Sequence, residues 1–198
     1  MTMTVWGLTG NIGCGKSTVG KMLAKKGFHH IDADQIGRSV AEPGMPANLQ
    51  LQKAFGKEYF DEQGNLLRKK LGEYVFSDNA ALRKLNDITH PAINAEIVRQ
   101  IKKIQNEHPD DHIVLEAAVL FESGMENLVD SVVLVFADDD VRLKRVMERD
   151  GLAENLVRDR MNSQMSQEEK RMLSQYVIHN NGNLDDLNIA VSKFIESI

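Results

Sequence analysis

Apolar residues gather in short runs of strand length at 5–9, 112–115, 132–136 and 176–178, a second strand is read at 28–32 between the first two, and helical periodicity follows the runs. Runs this short, bounded by polar segments, read as strands buried on both faces. Strands that alternate with helices predict a parallel sheet covered on both sides. The first helix is expected over 17–26, with Val19, Met22 and Leu23 on one face and Gly27 as its stop. From Leu184 onward, apolar residues at 187, 191, 194, 195 and 198 mark one face of a closing helix.

The spacing of these runs is uneven. The chain between the second and third strands far exceeds a usual connection of about 2 to 6 residues, so it must carry structure of its own. Helices are expected at 68–76 and 79–85, and Pro91 suits the first turn of a longer helix bearing Ile93, Ile97, Ile101 and Ile104. Residues 43–109 are therefore read as a mostly helical insertion. Residues 138–175, rich in Arg and Lys, are read as a smaller helical unit. The core is left with 1–42, 110–137 and 176–198. No internal repeat or low-complexity tract interrupts this plan.

Composition narrows the class without naming a function. Of 198 residues, 42% are apolar and 27% charged, the usual proportions of a soluble globular protein. A formal net charge of −5 gives no basic field to attract nucleic acid or an anionic membrane as a partner. The single cysteine, Cys14, excludes an internal disulfide, and residues after Met1 lack a basic and apolar leader. A cytoplasmic location is expected. No apolar run approaches the roughly eighteen residues of a membrane span.

The chemistry is concentrated in GLTGNIGCGKST, residues 7–18. Gly10 to Ser17 fits GxxxxGK[ST], with a buried strand before it and a helix after it, the context a phosphate-binding loop requires. Glycines allow successive amides to turn inward around an anion, and the helix start adds partial positive charge. Gly10, Asn11, Ile12, Gly13, Cys14, Gly15, Lys16, Ser17 and Thr18 are thus candidate nucleotide-binding residues. Lys16 would reach the outer phosphates of ATP, and the Ser17 hydroxyl would ligate Mg2+. Cys14 would serve through its backbone amide.

Such a loop fixes a nucleotide but not a function. A GTPase switch is one alternative: Asp34 to Gly37 matches DxxG, but no NKxD motif accompanies it. A remodelling ATPase is another; it would show paired acids at a strand end and a basic surface, whereas the run at 113–116 ends in the lone Glu116. A small-molecule kinase fits the layout best, with an acid at the end of strand two, a helical insertion for the acceptor and an Arg-rich flap.

Nine stretches in order carry a more specific likeness: the loop itself, IDADQIGRSVAEPGMPA at 31–47, FG at 55–56, LLRKKLGEYVF at 66–76, LNDITHPAI at 85–93, VLFESG at 119–124, RLKRVMERD at 142–150, RMNSQ at 160–164 and YVIHNNG at 176–182. Through them the chain resembles the dephospho-coenzyme A kinase family nearly end to end. The resemblance implies an α/β fold: a P-loop core with a five-stranded parallel sheet, a helical acceptor-binding insertion and a small lid. It implies transfer from ATP to the ribose 3′-hydroxyl of dephospho-CoA, giving CoA and ADP, by a monomer or weak homo-oligomer. Asn11 and Cys14 replace a glycine and a serine common in the family's loop, Ala118 replaces a proline, and Arg142 stands where glutamine is frequent.

Residue roles follow from the resemblance laid over the pattern. Asp34 falls on the catalytic position, as base or orienter of the acceptor hydroxyl, although an aspartate there also suits a helix cap. Lys16 and Arg145 complete the catalytic set. Arg149 and Asn180 are expected on the nucleotide, and Asp32, Arg38, Arg68 and His90 on the acceptor, with Asp32 also a metal candidate beside Ser17. The lid arginines, Arg160 among them, are read as cations of a closing lid in preference to a solvated basic face. His29 and His30 show no metal-ligand spacing and read as ordinary strand residues.

Overall fold

The computed structural model describes residues 3–198. Its five strands are β1 (Val5–Thr9), β2 (His29–Asp32), β3 (Ile113–Glu116), β4 (Ser131–Phe136) and β5 (Tyr176–His179). They form one sheet in the order β2-β3-β1-β4-β5, and every pairing is parallel. The central strands β1 and β3 are buried at every position, as near-continuous apolar runs require when helices cover both faces. Register places Leu8 beside Glu116 and Asp32 beside Glu116, which brings the carboxyl ends of β1, β3 and β2 to one edge.

The helices of the sheet-bearing unit are α1 (Lys16–Lys25), α6 (Asp139–Asp150), α7 (Glu154–Asn162), α8 (Gln167–Leu173) and α9 (Leu184–Glu196). Val19 and Leu23 of α1 and Leu187, Val191 and Phe194 of α9 join Trp6, Leu8 and Val133 in the main core. Trp6 meets Tyr176 and Phe194 edge to face, at centroid distances of 5.4 and 5.3 Å. Reciprocal capping boxes start α8 at Ser166 and Glu169, and α9 at Asn183 and Asp186. Each such cap contributes about 1 kcal/mol. The wholly buried Lys170 is held by Glu122 at 3.0 Å and by the Ala118 carbonyl at 2.7 Å. Leaving either charge alone there would be costly.

The chain parts into two compact units. One comprises the residues up to Asp32 together with Ile101–Ile198; the other is Ala33–Gln100. The second unit overlaps the expected insertion at 43–109 and contains α2 (Ala33–Ser39), α3 (Pro46–Phe55) and α4 (Arg68–Val75). Its apolar clusters centre on Leu51 and Phe60, and on Leu71, Val75 and Ala81. The helices expected separately at 79–85 and from Pro91 are one helix, α5 (Asn79–Glu107). Pro91 removes one backbone bond, worth up to about 3 kcal/mol in an exposed helix interior. Packing on both sides of it offsets that loss: Leu82, Leu85 and Ile88 lie against the apolar clusters, and Ile97 and Ile101 are buried. Among the described residues, no helix is long and apolar enough to cross a membrane.

Candidate active site

The loop leaves β1 at Gly10 and enters α1 at Lys16. Gly13 and Gly15 hold φ of 81° and 90°, a region closed to ordinary side chains without strain. A Cβ on Gly13 would stand 2.6 Å from the Arg142 carbonyl oxygen, and one on Gly15 would strike the Asn180 amide. Surrounding residues hold the loop's shape. The Cys14 amide donates to the Asn11 carbonyl at 3.1 Å, and Asn180 Nδ2 donates to the Cys14 carbonyl at 2.7 Å. The Ile12 amide donates to Gln164 Oε1 at 2.8 Å, and Asn11 Nδ2 donates to the Met165 carbonyl at 2.8 Å. Lys16 and Ser17 occupy the first turn of α1, where backbone amides lack an acceptor within the helix and favour an anion, whereas the Thr18 amide donates to the Gly15 carbonyl at 3.0 Å. Cys14 is 1% exposed, and burial pushes its thiol above the ordinary value, which suits packing rather than reactivity.

Behind the loop, one buried carboxylate collects three partners. Glu116 Oε1 accepts from Lys16 Nζ at 2.7 Å and from Ser17 Oγ at 2.5 Å, while Oε2 lies 2.9 Å from His30 Nε2. Burial pushes this carboxyl up, but His30, Lys16 and Ser17 together outweigh it and hold the group at about 2. His30 is therefore not an ordinary strand residue, and Glu116, set aside in the sequence as a lone acid, belongs to the site. Its signal was visible as an acid ending a buried strand. Its partners lie too far away in the chain for any spacing rule to find them. Gly20 makes room for the cluster, since a Cβ there would stand 2.5 Å from Glu116 Oε2.

The donor set here suits a hard divalent cation. Ser17 offers a hydroxyl, Glu116 a carboxylate and Asp32, its register neighbour, a second carboxylate, all oxygen donors of the kind Mg2+ selects.

The arginines of α6 and α7 divide among four sets of partners, of which Arg158 takes Glu154 at 2.8 Å. Arg145 donates to the Asn180 carbonyl at 2.8 Å and to the Gly182 carbonyl at 3.1 Å, so Asn180 links it to the loop. Arg149 makes a two-pronged contact with Asp150 at 2.7 and 3.0 Å, and that carboxylate raises its pKa; Arg160 reaches the same Asp150 at 3.6 Å. Arg142 is 4% exposed and ties the Ile12 carbonyl to Asp139. With Asn11, Gln164, Gln167, Ser166 and Arg158 it lines a cavity of about 430 Å³, and Asn11 Oδ1 and Arg142 Nε are buried without a hydrogen-bond partner. Sequence reading noted Arg142 only as a departure from a common glutamine.

In the second unit, Asp34 stands exposed in the first turn of α2, inside the helix rather than at its cap position. Arg68 Nη2 donates to the Arg38 carbonyl at 2.9 Å. Burial lowers the Arg68 pKa and the nearby Arg38 charge lowers it further, against the pull of Glu42. Like charges that interact in this way would both gain from an anion placed near them. His90 is partly buried, which pushes its pKa down against the opposing pull of Asp87. A groove of about 250 Å³ runs along this unit, lined by Gly37, Ala41, Arg68, Leu71, Thr89 and Ile93.

Comparison with known proteins adds the family. The family model for dephospho-CoA kinase matches residues 4–186. A dephospho-CoA kinase of Fusobacterium nucleatum is 38% identical over 198 residues, covering all of both chains. The crystal structure of TT1252 from Thermus thermophilus superposes with a TM-score of 0.85 at 32% identity, over 100% of this chain and 99% of that one. A dephospho-CoA kinase from Campylobacter jejuni superposes with a TM-score of 0.73 at 30% identity, over 98% of this chain and 96% of the other.

Proposed function

The chain belongs to the dephospho-CoA kinase family, whose reaction is the ATP-dependent phosphorylation of dephospho-CoA in coenzyme A synthesis, and we propose how its residues carry out that transfer. The observation that carries the proposal is the loop–Lys16–Ser17–Glu116 constellation at the carboxyl edge of a parallel sheet. The loop from Gly10 to Gly15 and the start of α1, through Thr18, wrap the phosphates of ATP, with the amides not spent inside the loop donating to them. Lys16 leaves Glu116 for the outer phosphates. Ser17, Glu116 and Asp32 would hold Mg2+, which supplies charge neutralisation and orients the leaving oxygens.

The acceptor's ribose 3′-oxygen forms a bond to the γ-phosphorus as the bond from that phosphorus to the β–γ bridging oxygen breaks, and ADP leaves. Asp34 orients the attacking hydroxyl and takes its proton. Arg38 and Arg68 hold the acceptor's pyrophosphate as forked donors, and His90 contacts the acceptor. Arg145, fixed on Asn180, and Arg149 stabilise charge that grows on the transferring group. A cytoplasmic location fits the ATP supply and a buried, reduced Cys14. The chain needs no partner beyond its two substrates in this reading and works as a monomer or a weak homo-oligomer.

One assay tests both substrate and base: ADP release with Mg2+ and ATP against dephospho-CoA, adenosine, shikimate and nucleoside monophosphates, for the wild type and Asp34→Asn. Dephospho-CoA should give the fastest turnover. Asp34→Asn should lower kcat on the order of 10²- to 10⁴-fold while retaining ATP binding. Equal turnover with a nucleoside monophosphate would reject the acceptor assignment, and near-normal kcat in the variant would reduce Asp34 to a helix residue.

A further inference from the structure

Among the described residues, one group of metal-ligating side chains lies apart from the phosphate loop: His29, His108 and Asp111. Backbone pairing builds it. The His29 amide donates to the His112 carbonyl at 2.9 Å as β2 joins the strand beside it, which sets His29 next to Asp111. The Asp111 amide donates to the His108 carbonyl at 3.2 Å, folding the turn after α5 so that both side chains face the same way as His29. Asp111 Oδ2 then lies 2.9 Å from His29 Nε2 and 3.6 Å from His108 Nδ1. The two imidazole rings stand 4.5 Å apart, tilted by 35°.

From this geometry we propose that His29, His108 and Asp111 bind a divalent transition ion of the Zn2+ class. Two imidazole nitrogens and a carboxylate oxygen come within 4.8 Å of one another, a spacing that an imidazole N–H can fill by donating to the carboxylate and that a metal ion can fill by accepting all three lone pairs. Four-coordinate Zn2+ holds its ligands at about 2.0 to 2.2 Å, which puts neighbouring ligand atoms about 3.3 Å apart. The distances of 2.9 and 3.6 Å bracket that spacing. Imidazole nitrogens favour Zn2+, Co2+ or Ni2+ over Mg2+, which selects oxygen. His108 and Asp111 are about half exposed, leaving the fourth position to water.

His29 begins β2, whereas the phosphate loop follows the end of β1, so the group sits at the opposite edge of the parallel sheet from the loop. The bound ion clamps the turn after α5 to the first residue of β2. It takes no part in phosphoryl transfer.

The test titrates Co2+ and Zn2+ into untagged, chelator-treated protein. It reads the visible absorption of low-coordinate Co2+, the stoichiometry and the melting temperature, beside the Mg2+-dependent kinase rate. One ion per chain should bind, with a rise in melting temperature that follows metal concentration. His108→Ala and Asp111→Ala should each weaken binding at least about tenfold, since each deletes a ligand. Both should keep the wild-type kinase rate with Mg2+ and ATP, and His179→Ala should bind as the wild type does. Because His108 and Asp111 lie outside helices and strands, these variants remain folded even if His29→Ala does not. Absence of stoichiometric binding would overturn the site and leave a histidine–aspartate hydrogen bond. Binding that survives both substitutions would overturn it equally.

Discussion

Glu116 meets Lys16, Ser17 and His30 with its two carboxylate oxygens, and this crowding has a measurable acid signature. Its carboxyl is lowered from 4.5 to about 2, so between those values the unfolded chain binds a proton that the folded chain does not. Stability from this group is therefore complete above about 4.5 and is lost as pH falls towards about 2. Glu116→Gln should be less stable than the wild type at neutral pH, by urea midpoint. The gap should narrow as pH drops through that window, because a protonated glutamate and a glutamine offer the same neutral shape. A gap that stays constant down to pH 3 would mean that the ion pair with Lys16 contributes nothing. At this scale the sequence disclosed the phosphate loop, whose function depends on residues adjacent in the chain. It hid Glu116, His30 and Arg142, whose function depends on partners that only folding supplies.

Among the elements, α1 is set by the space it must share. Gly20 lies mid-helix, where alanine would normally add about 1 kcal/mol through propensity. A Cβ there would stand 2.5 Å from Oε2 of the buried Glu116 and 3.0 Å from Nε2 of the partly buried His30. Overpacking of this kind costs about 1 to 3 kcal/mol, so the crowding outweighs the propensity. Gly20→Ala should lower the melting temperature and raise the KM for ATP by displacing the carboxylate that steadies Lys16 and Ser17. A more stable variant with normal KM would show that α1 can slide away from β3. The same contest between local rule and packing explains what sequence reading missed in α5. Pro91 signals a helix start by local rule, yet apolar contacts on both sides of it keep one helix running from Asn79 to Glu107. The central strands β1 and β3 were easier to read because burial at every position leaves no polar residue before the last one to blur the run, whereas β2 carries two histidines and an aspartate and is only partly buried.

For the whole molecule, unequal spacing announced a helical segment between the second and third strands, but not where the compact units part. α2 follows β2 without a linker, and α5 runs unbroken through residue 100, so no change of composition marks either limit. The division nevertheless sorts the proposed roles. Lys16, Ser17, Glu116, Arg145 and Asn180 fall in the sheet-bearing unit, while Asp34, Arg38, Arg68 and His90 fall in Ala33–Gln100. If each unit grips its own substrate, single substitutions should separate the two Michaelis constants. Arg68→Ala removes a charged, forked donor worth about 1.5 to 3 kcal/mol, and should raise the KM for dephospho-CoA by about 10- to 100-fold. The KM for ATP should stay put, and so should the melting temperature, because Arg68 is largely exposed and its guanidinium donates to the Arg38 carbonyl rather than to a buried group. Lys16→Ala should do the reverse, weakening ATP while dephospho-CoA binding, followed by calorimetry without nucleotide, remains unchanged. Equal losses for both substrates in either variant would show that the units do not bind independently, and the roles proposed for Arg38, Arg68 and His90 would have to be reassigned.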